Sequence, residues 1–304
     1  MLIIRTVIPS IYCVVVNYNL KDDTIACVQS LFDARAEPGK VIVVDNGSTD
    51  GSVQFLKERF GSAVNIISTG KNLGFSGGYN LGIQNAIELG ANWVLIINND
   101  TLVAKDFLSE LGNTIGSQPQ YDIFGPLIFY YNSPQRIWYL GDRLIPGLLI
   151  THSLYKGQKG RAHYPPFFSV DFITGCAMLI KKEVLEKIGY FDVNLFMYGE
   201  DVDFCWRARK AGFKIAAIPG ARMWHKVSAS ASRDQYKSRY LRTRNQSRFY
   251  RVYSRRLQIP FMWLFSILEV IKIGFFDIIY RRPTLIAPLA MGWIDGWLNR
   301  YRQV

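Results

Sequence analysis

Four short runs of β-branched and aliphatic residues punctuate the first hundred positions, and polar, helix-patterned stretches separate them. Ile11–Val16 (IYCVVV) precedes a helical stretch around Thr24–Phe32. Val41–Val44 (VIVV) ends at Asp45-Asn46-Gly47-Ser48, after which a helix is expected from about Asp50 to Phe60, capped by Ser48 or Asp50. Asn65–Ser68 is a short third strand, Tyr79–Leu89 a helix, and Trp93–Ile97 (WVLII) a fourth strand ending at Asn98-Asn99-Asp100. Buried strands alternating with helices imply a parallel, doubly wound sheet. Such sheets bind ligands beyond the carboxyl ends of their strands. The polar clusters fall there: Asn17-Tyr18-Asn19, Asp45-Asn46 and Asn98-Asn99-Asp100.

Between residues 120 and 170, aromatics, Pro and Gly dominate, and the pattern reads as loops and irregular strands. Phe172–Lys181 reads as another strand, Glu183–Ile188 as a short helix, and Glu200–Ala211 as a helix with acids in its first turn, where the dipole favours them. Residues 233–256 hold nine Lys or Arg against the single acid Asp234. On a helix, Arg233, Lys237, Arg244, Arg248, Arg251 and Arg255 fall in a stripe about 60° wide. Ile259–Tyr280 is 22 residues long and mostly apolar, yet carries Glu269, Lys272 and Asp277. At roughly 2.5–3.5 kcal/mol per central charge, a simple transmembrane span is disfavoured. These charges share one side of a helix with Ser266, the pattern of an amphipathic helix lying in a membrane interface. Leu285–Leu298, broken by Pro288 and Gly292, is expected to dock similarly. Ile8-Pro9 argues against a signal peptide, and no stretch before residue 259 is long enough to span a bilayer.

Composition sharpens this reading. The 304 residues, 49% hydrophobic and 20% charged, suit one α/β domain with a smaller appendage and exclude global disorder. A net charge of +12 asks for an anionic partner: nucleotide, phospholipid or nucleic acid. Cys13, Cys27, Cys176 and Cys205 show no ligand spacing and read as reduced thiols of a cytosolic compartment.

A nucleotide needs an acceptor for its base imide proton and a face on which the ring rests, and Asp45 and Tyr18 at neighbouring strand ends offer both. The alternative is a turn in which Asp45 satisfies its own backbone. Three glycines in Gly74–Gly78 allow close approach to a phosphate before a helix, or form a plain turn. A divalent cation bridging two phosphates needs hard oxygen ligands, and Asp100 is the candidate. Glu200-Asp201 offers a carboxylate able to take a proton from a hydroxyl nucleophile, or simply caps a helix. Of three histidines, only His225 follows a strand exit; His152 and His163 lie in the loop-rich part. The basic stripe beside an apolar helix favours phospholipid, at roughly 1 kcal/mol per basic residue near the surface. Nucleic-acid binding, the other reading of that stripe, gives no account of the acidic clusters.

Asn17-Tyr18-Asn19, Val44–Asp50, Asn72–Asn80, Asn98-Asn99-Asp100 and Gly199–Asp203 occur in this order. Together, over residues 11–228, they resemble glycosyltransferase family 2, and most of all its bacterial rhamnosyltransferase branch. The resemblance implies a GT-A fold, Rossmann-like with a doubly wound, mostly parallel sheet, over residues 1–228. A basic and amphipathic helical membrane-associating extension would occupy 229–304. It also implies an inverting hexosyltransferase acting at the cytoplasmic face of the cell membrane, peripheral or monotopic. The enzyme would move a sugar from a nucleotide diphosphate donor to a lipid-linked saccharide in cell-surface polysaccharide synthesis. The donor expected is dTDP-rhamnose, with UDP-sugars second. The partners are donor, acceptor and an anionic membrane surface, with no nucleic acid.

By the same resemblance Asp201 is the base and Glu200 positions acceptor or base. Tyr18, Asn19, Asp45, Gly77, Gly78, Asn80, Asn98 and Asn99 form the donor site, joined by Arg244 as a diphosphate ligand. Asp100 and His225 hold Mg²⁺ or Mn²⁺, and Thr174-Gly175-Cys176 lies beside the acceptor. Asn98 stands where the family's DxD motif has its first acid, which shifts metal binding toward the diphosphate itself. The missing acid keeps a non-catalytic nucleotide-sugar-binding protein in view.

Overall fold

β1 (Ile11–Asn17), β2 (Val41–Asp45), β3 (Val64–Ser68) and β4 (Trp93–Asn98) lie in the order β4-β1-β2-β3, all parallel. They are seen in a computed structural model that describes residues 10–145, 148–161, 163–227 and 234–302. α1 (Lys21–Asp33), α2 (Ser52–Phe60) and α3 (Gly74–Glu88) connect them. Side chains alternate across the strands: Val14 and Val16 face α3, while Asn17 meets Thr24 of α1. Helices on both faces explain why these strands are apolar throughout. α3 lies very close to the sheet, since a Cβ on Gly82 would come within 2.3 Å of the Val14 side chain.

α3 starts at Gly74, five residues before the predicted Tyr79, so the glycine stretch is the first turn of a helix. Glycine's low helix propensity argued for a loop. The Asn46 side chain overrides it, accepting the Leu73 N–H (2.9 Å) and donating to the Gly74 carbonyl (3.0 Å).

The second half is more regular than its sequence suggested. β5 (Thr101–Val103) and α4 (Phe107–Ser117) lead to β6 (Ile123–Tyr130), β7 (Ser133–Tyr139), the hairpin β8 (Asp142–Leu144) and β9 (Thr151–Ser153), and β10 (Phe168–Val170). β11 (Ala177–Lys181), α5 (Lys182–Ile188), α6 (Glu200–Lys210) and β12 (Ile215–His225) complete it. The sheet continues β10-β12-β6-β11-β4, with β11 antiparallel to both neighbours and β12 parallel to β6. β6 is a buried inner strand, not an irregular loop. Gly125 and Pro126 disguised it: β12 slips register between Ile218, opposite Pro126, and Arg222, opposite Leu127. Such a bulge is where a sheet tolerates the missing N–H of a proline.

α7 (Gln235–Tyr253), α8 (Ile259–Ile279) and α9 (Ile286–Leu298) follow. α7 is fastened to the sheet domain: Asn245 donates to the Leu195, Met197 and Tyr198 carbonyls, and the Tyr253 hydroxyl to Asp203 at 2.6 Å. α9 does not lie outward like α8 but packs on α7 through Gly292 and Gly296, where a Cβ would come within 2.6 and 2.4 Å of α7 backbone oxygens. α8 is amphipathic with its polar side turned inward. Ser266 accepts the indole N–H groups of Trp293 (2.9 Å) and Trp297 (3.0 Å), and buried Asp277 pairs with Arg239 (2.9 Å). Its other side exposes Phe261, Leu264, Leu268, Ile271, Phe275 and Ile278.

Candidate active site

Parallel pairing brings the ends of β1, β2 and β4 to one rim, with Asn17 opposite Asp45 and Val16 opposite Asn98. A cleft of about 430 Å³ opens there. Tyr18 and Asn46 border it on one side, Asn98, Asn99 and Asp100 at the base, and Gly175, Glu200 and Asp201 on the other side. His225, Trp138 and Arg242 complete its wall.

The asparagine amides fix this rim. Asn17 Nδ2 donates to Asp45 Oδ2 (2.9 Å), Asn99 Nδ2 donates to Thr24 Oγ1 (2.9 Å), and the Tyr79 hydroxyl donates to Asn98 Oδ1 (3.2 Å). β5 pairs with β12 so that Thr101 faces His225, which sets Asp100 beside the imidazole. His225 Nε2 lies 3.1 Å from Asp100 Oδ1, both side chains are buried, and Trp138 stands edge-on 4.5 Å from the imidazole.

Two adjacent ligands of an octahedral ion with bonds of about 2.1–2.2 Å stand about 3 Å apart. The spacing of His225 and Asp100 fits that requirement. Among the described residues no group of three or more His, Cys, Asp or Glu gathers for a metal. A cation held here takes its remaining ligands from bound phosphate oxygens and water, the usual arrangement for Mg²⁺.

α6 begins at the opposite wall, after Gly199 in the left-handed region (φ 84°). Asp201 Oδ2 accepts the Gly175 N–H (2.9 Å) and Oδ1 the Val202 N–H (2.8 Å). Desolvation raises its pKa, the amides oppose that, and the carboxyl is left above its ordinary value. Glu200 is buried and its Oε2 has no partner. Burial, reinforced by the charge of Asp201, holds it well above the usual carboxylate range.

Tyr18, Asn98, Asn99, Asp100, Glu200, Asp201 and His225 thus meet in one cleft, and six expected donor-site residues stand outside its lining. Asp45 is 1% exposed, and its Oδ1 accepts the Ser48 N–H (3.0 Å) while Oδ2 is held by Asn17: it supports the turn. Asn19 (φ 54°) accepts the Thr49 N–H at 2.7 Å. Gly77 faces Leu73, and Gly78 faces Val16 and Asn46, so their missing side chains serve packing. Asn80 bonds both N–H and carbonyl of Phe191 (3.0 and 2.8 Å), a clamp on the loop before α6. Arg244 is buried, bonded to Asn245 and to the Asn194 and Leu195 carbonyls, and burial lowers its pKa. In this structure it holds the loop before α6.

Two further residues of the basic stripe are turned inward, while Arg251 and Arg255 are exposed. Arg248 pairs with Asp192 (2.9 Å) and Lys237 sits over Phe196, so these residues face protein, not phospholipid. Arg233 lies outside the described residues. The arginine that does reach the cleft is Arg242, 4.0 Å over the Tyr198 ring. At about 100° per residue it lies some 200° around the helix from Arg244, off the stripe. Sequence reasoning also missed Trp138, which carried no signal in a region read as loop, and Asn46, whose amide could have been found through the resemblance.

A family model described as Glycosyl transferase family 2 matches residues 12–189. A low-salt glycan biosynthesis hexosyltransferase, Agl10, of Haloferax volcanii is 29% identical over 69% of this chain and 65% of its own length. An N-acetylglucosaminyl-diphospho-decaprenol L-rhamnosyltransferase of Mycobacterium tuberculosis is 28% identical over 67% and 72%. The dTDP-rhamnosyl transferase RfbF of Shigella flexneri is 26% identical over 72% and 69%. A mannosyltransferase of Pyrobaculum calidifontis, solved with GDP-Man and Mn2+, shares the fold with a TM-score of 0.57 at 14% identity, covering 96% of this chain and 88% of that one. GalNAc-T7, solved with UDP, GalNAc and Mn2+, gives 0.60 at 14% identity, covering 81% and 48%. The chain spans about two-thirds of the Haloferax protein and about half of the GalNAc-T7 chain. The architecture is GT-A.

Proposed function

The chain belongs to glycosyltransferase family 2, and from that premise we propose that it is an inverting hexosyltransferase using a nucleotide diphosphate sugar. The observation that carries this is the meeting, across one cleft, of the Asp201 carboxyl with the Asp100–His225 pair. One wall offers a base with a raised pKa, the other the donor atoms a diphosphate-bound cation needs.

Tyr18, half-exposed at the rim, gives the nucleobase a face. Asp201 takes the proton of the acceptor hydroxyl as that oxygen bonds to the anomeric carbon. The bond from that carbon to the diphosphate oxygen breaks on the opposite face, and its electron pair leaves with the nucleoside diphosphate, so configuration inverts. Glu200, whose buried Oε2 has no protein partner, positions the acceptor hydroxyl beside Asp201. Asp100 and His225 would hold Mg²⁺ or Mn²⁺, which would supply charge neutralisation for the diphosphate leaving group.

Rhamnose from dTDP-rhamnose is the donor favoured by the rhamnosyltransferases among the relatives, with a UDP-sugar second. A lipid-linked saccharide acceptor is favoured by the decaprenol in one relative's name and by the outer face of α8. One helix, Arg256–Ile279, is long and apolar enough to cross a membrane, with only 11% of that window buried. Its inward Ser266 and Asp277 and its ion pair Glu269–Lys272 suit a helix lying in the interface at the cytoplasmic face, with Arg255, Arg256, Arg281 and Arg282 at its ends near anionic headgroups.

Release of nucleoside diphosphate from a donor panel, with and without Mn²⁺, tests the reaction, and mass analysis of a lipid-linked product tests the acceptor. Donor binding with no turnover under any metal or acceptor overturns the enzymatic reading in favour of a non-catalytic binder.

A further inference from the structure

Arg242 borders two spaces at once. On one side is the cleft; on the other is a second cavity of about 680 Å³, whose shared wall is Tyr198, Gly199 and Arg242. α7, Ile273 near the end of α8 and the turn after it, with Arg282 and Leu285, enclose this second space.

Three arginines line it. Arg239 is neutralised by Asp277, whereas Arg242 and Arg282 pair with no carboxylate among the described residues. Two guanidinium groups without an ion-pair partner among those residues, Arg242 sensing the nearby Glu200 carboxyl, border one cavity and suit a multiply charged oxyanion, which Arg binds in bidentate fashion. The remaining wall is different in kind: Phe249, Tyr250, Ile273 and Leu285 supply aromatic and aliphatic surface. A free anion has no use for that surface. Arg282 also follows the exposed apolar face of α8 by two residues, Tyr280 being the last of that face, which sets it at the depth of lipid headgroups.

We propose that this cavity seats the phosphate or diphosphate of a polyprenyl-linked acceptor. Arg242 and Arg282 bind the phosphate oxygens and the prenyl chain runs over Ile273 and Leu285 toward the outer face of α8. The saccharide passes the Tyr198–Gly199 wall to reach Asp201. Its delivery to Asp201 rests on the glycosyl-transfer reading; lipid phosphate binding does not.

The test is binding of farnesyl diphosphate to the full chain in neutral detergent, beside inorganic pyrophosphate, farnesol and phosphatidylglycerol. Arg282→Ala is expected to weaken farnesyl diphosphate about ten- to a hundredfold, the loss of one charge-assisted contact, and Arg242→Ala similarly. Arg282→Lys is expected to recover part of it. Binding of dTDP, measured in the same Arg282→Ala sample, stays as in the parent and reports an intact fold. Unchanged farnesyl diphosphate affinity in Arg282→Ala overturns the proposal. Pyrophosphate binding as tightly as farnesyl diphosphate, or equal competition by phosphatidylglycerol, overturns the polyprenyl occupant. Absent sugar transfer with farnesyl diphosphate binding intact sinks the catalytic reading alone.

Discussion

His225 and Asp100, far apart in the chain, reach each other with Nε2 3.1 Å from Oδ1, because β12 pairs with the short strand that follows Asp100. In the proposed reading, with Asn98 in place of an acid, this pair is the protein's contribution to a cation among the described residues. Chelation by EDTA is therefore expected to remove turnover, restored by Mn²⁺ or Mg²⁺. Asp100→Asn and His225→Ala should each raise the Mn²⁺ concentration for half-maximal turnover about 10–100-fold, by analogy with the loss of a metal-supporting group. A metal titration of initial rates checks this, and an unchanged midpoint removes the pair from metal binding.

Asp201 keeps both oxygens on backbone amides, so Asp201→Asn preserves one acceptor and sets its NH2 against the other N–H, which makes the binding measurement the check on an intact site. Turnover is expected to fall about 10²–10⁴-fold, the usual worth of a positioned general base, while nucleoside diphosphate binds as before. Because the Asp201 pKa is raised, the acid limb of the rate profile should lie above the usual aspartate value of 3.8. Stopped assays across pH, beside calorimetry of nucleotide binding, separate the two effects.

Glu200 gives a pH dependence of opposite use. Its folded pKa is raised, so the native state binds a proton that the unfolded chain has released, and stability falls as pH rises from about 4.5 through the folded value. Glu200→Gln mimics the protonated form and should flatten that fall. Thermal unfolding followed from pH 4.5 to 8 decides the matter; parallel curves for parent and variant would refute a buried, protonated Glu200.

How much of this was legible depended on whether a residue's job was local. The parallel half of the sheet could be read because Val41–Val44 and Trp93–Ile97 are apolar at every position, and only strands covered on both faces are. β6 could not, because its proline is accommodated by a bulge in β12, a strand almost ninety residues downstream. Asp100, Asp201 and His225 were found because their motifs end at strand or helix termini that the topology converges. Asn80 and Arg244 lie outside the cleft lining for a shared reason that no local motif carries: backbone carbonyls and amides of the 191–198 loop hold them.

The seam between α7 and α9 makes a prediction whose sign reverses within one helical hairpin. A Cβ at Gly296 would stand 2.4 Å from the Arg244 carbonyl oxygen and 2.6 Å from Ser247 Cβ, so Gly296→Ala must push the helices apart. The expected loss is about 1–3 kcal/mol, the usual cost of overpacking. At Gly274 in α8, the nearest atom to an added Cβ is Leu289 Cδ2 at 3.7 Å. Gly274→Ala should therefore stabilise, by about 0.5–1 kcal/mol from helix propensity. Denaturant unfolding of both variants in detergent measures the difference.

Membrane attachment is better tested by substitution than by truncation, since removing residues beyond 259 also strips α9 from the glycine seam and exposes Tyr240, whose hydroxyl bonds Asp295. Ile271 and Ile278 are each 61% exposed, so Ile271→Lys/Ile278→Lys leaves the folded contacts in place. If the outer face of α8 is immersed in lipid, the change forfeits about 1.5–3 kcal/mol per isoleucine. Partition into vesicles should then fall at least about a hundredfold. Arg255→Glu/Arg281→Glu acts through the surface potential instead, at about 1 kcal/mol per charge. That variant should lose affinity only for anionic vesicles, and the loss should shrink as salt is raised. Vesicle flotation with neutral and anionic lipid distinguishes the two contributions, and equal flotation of the parent and the double-lysine variant would show that α8 does not meet the bilayer.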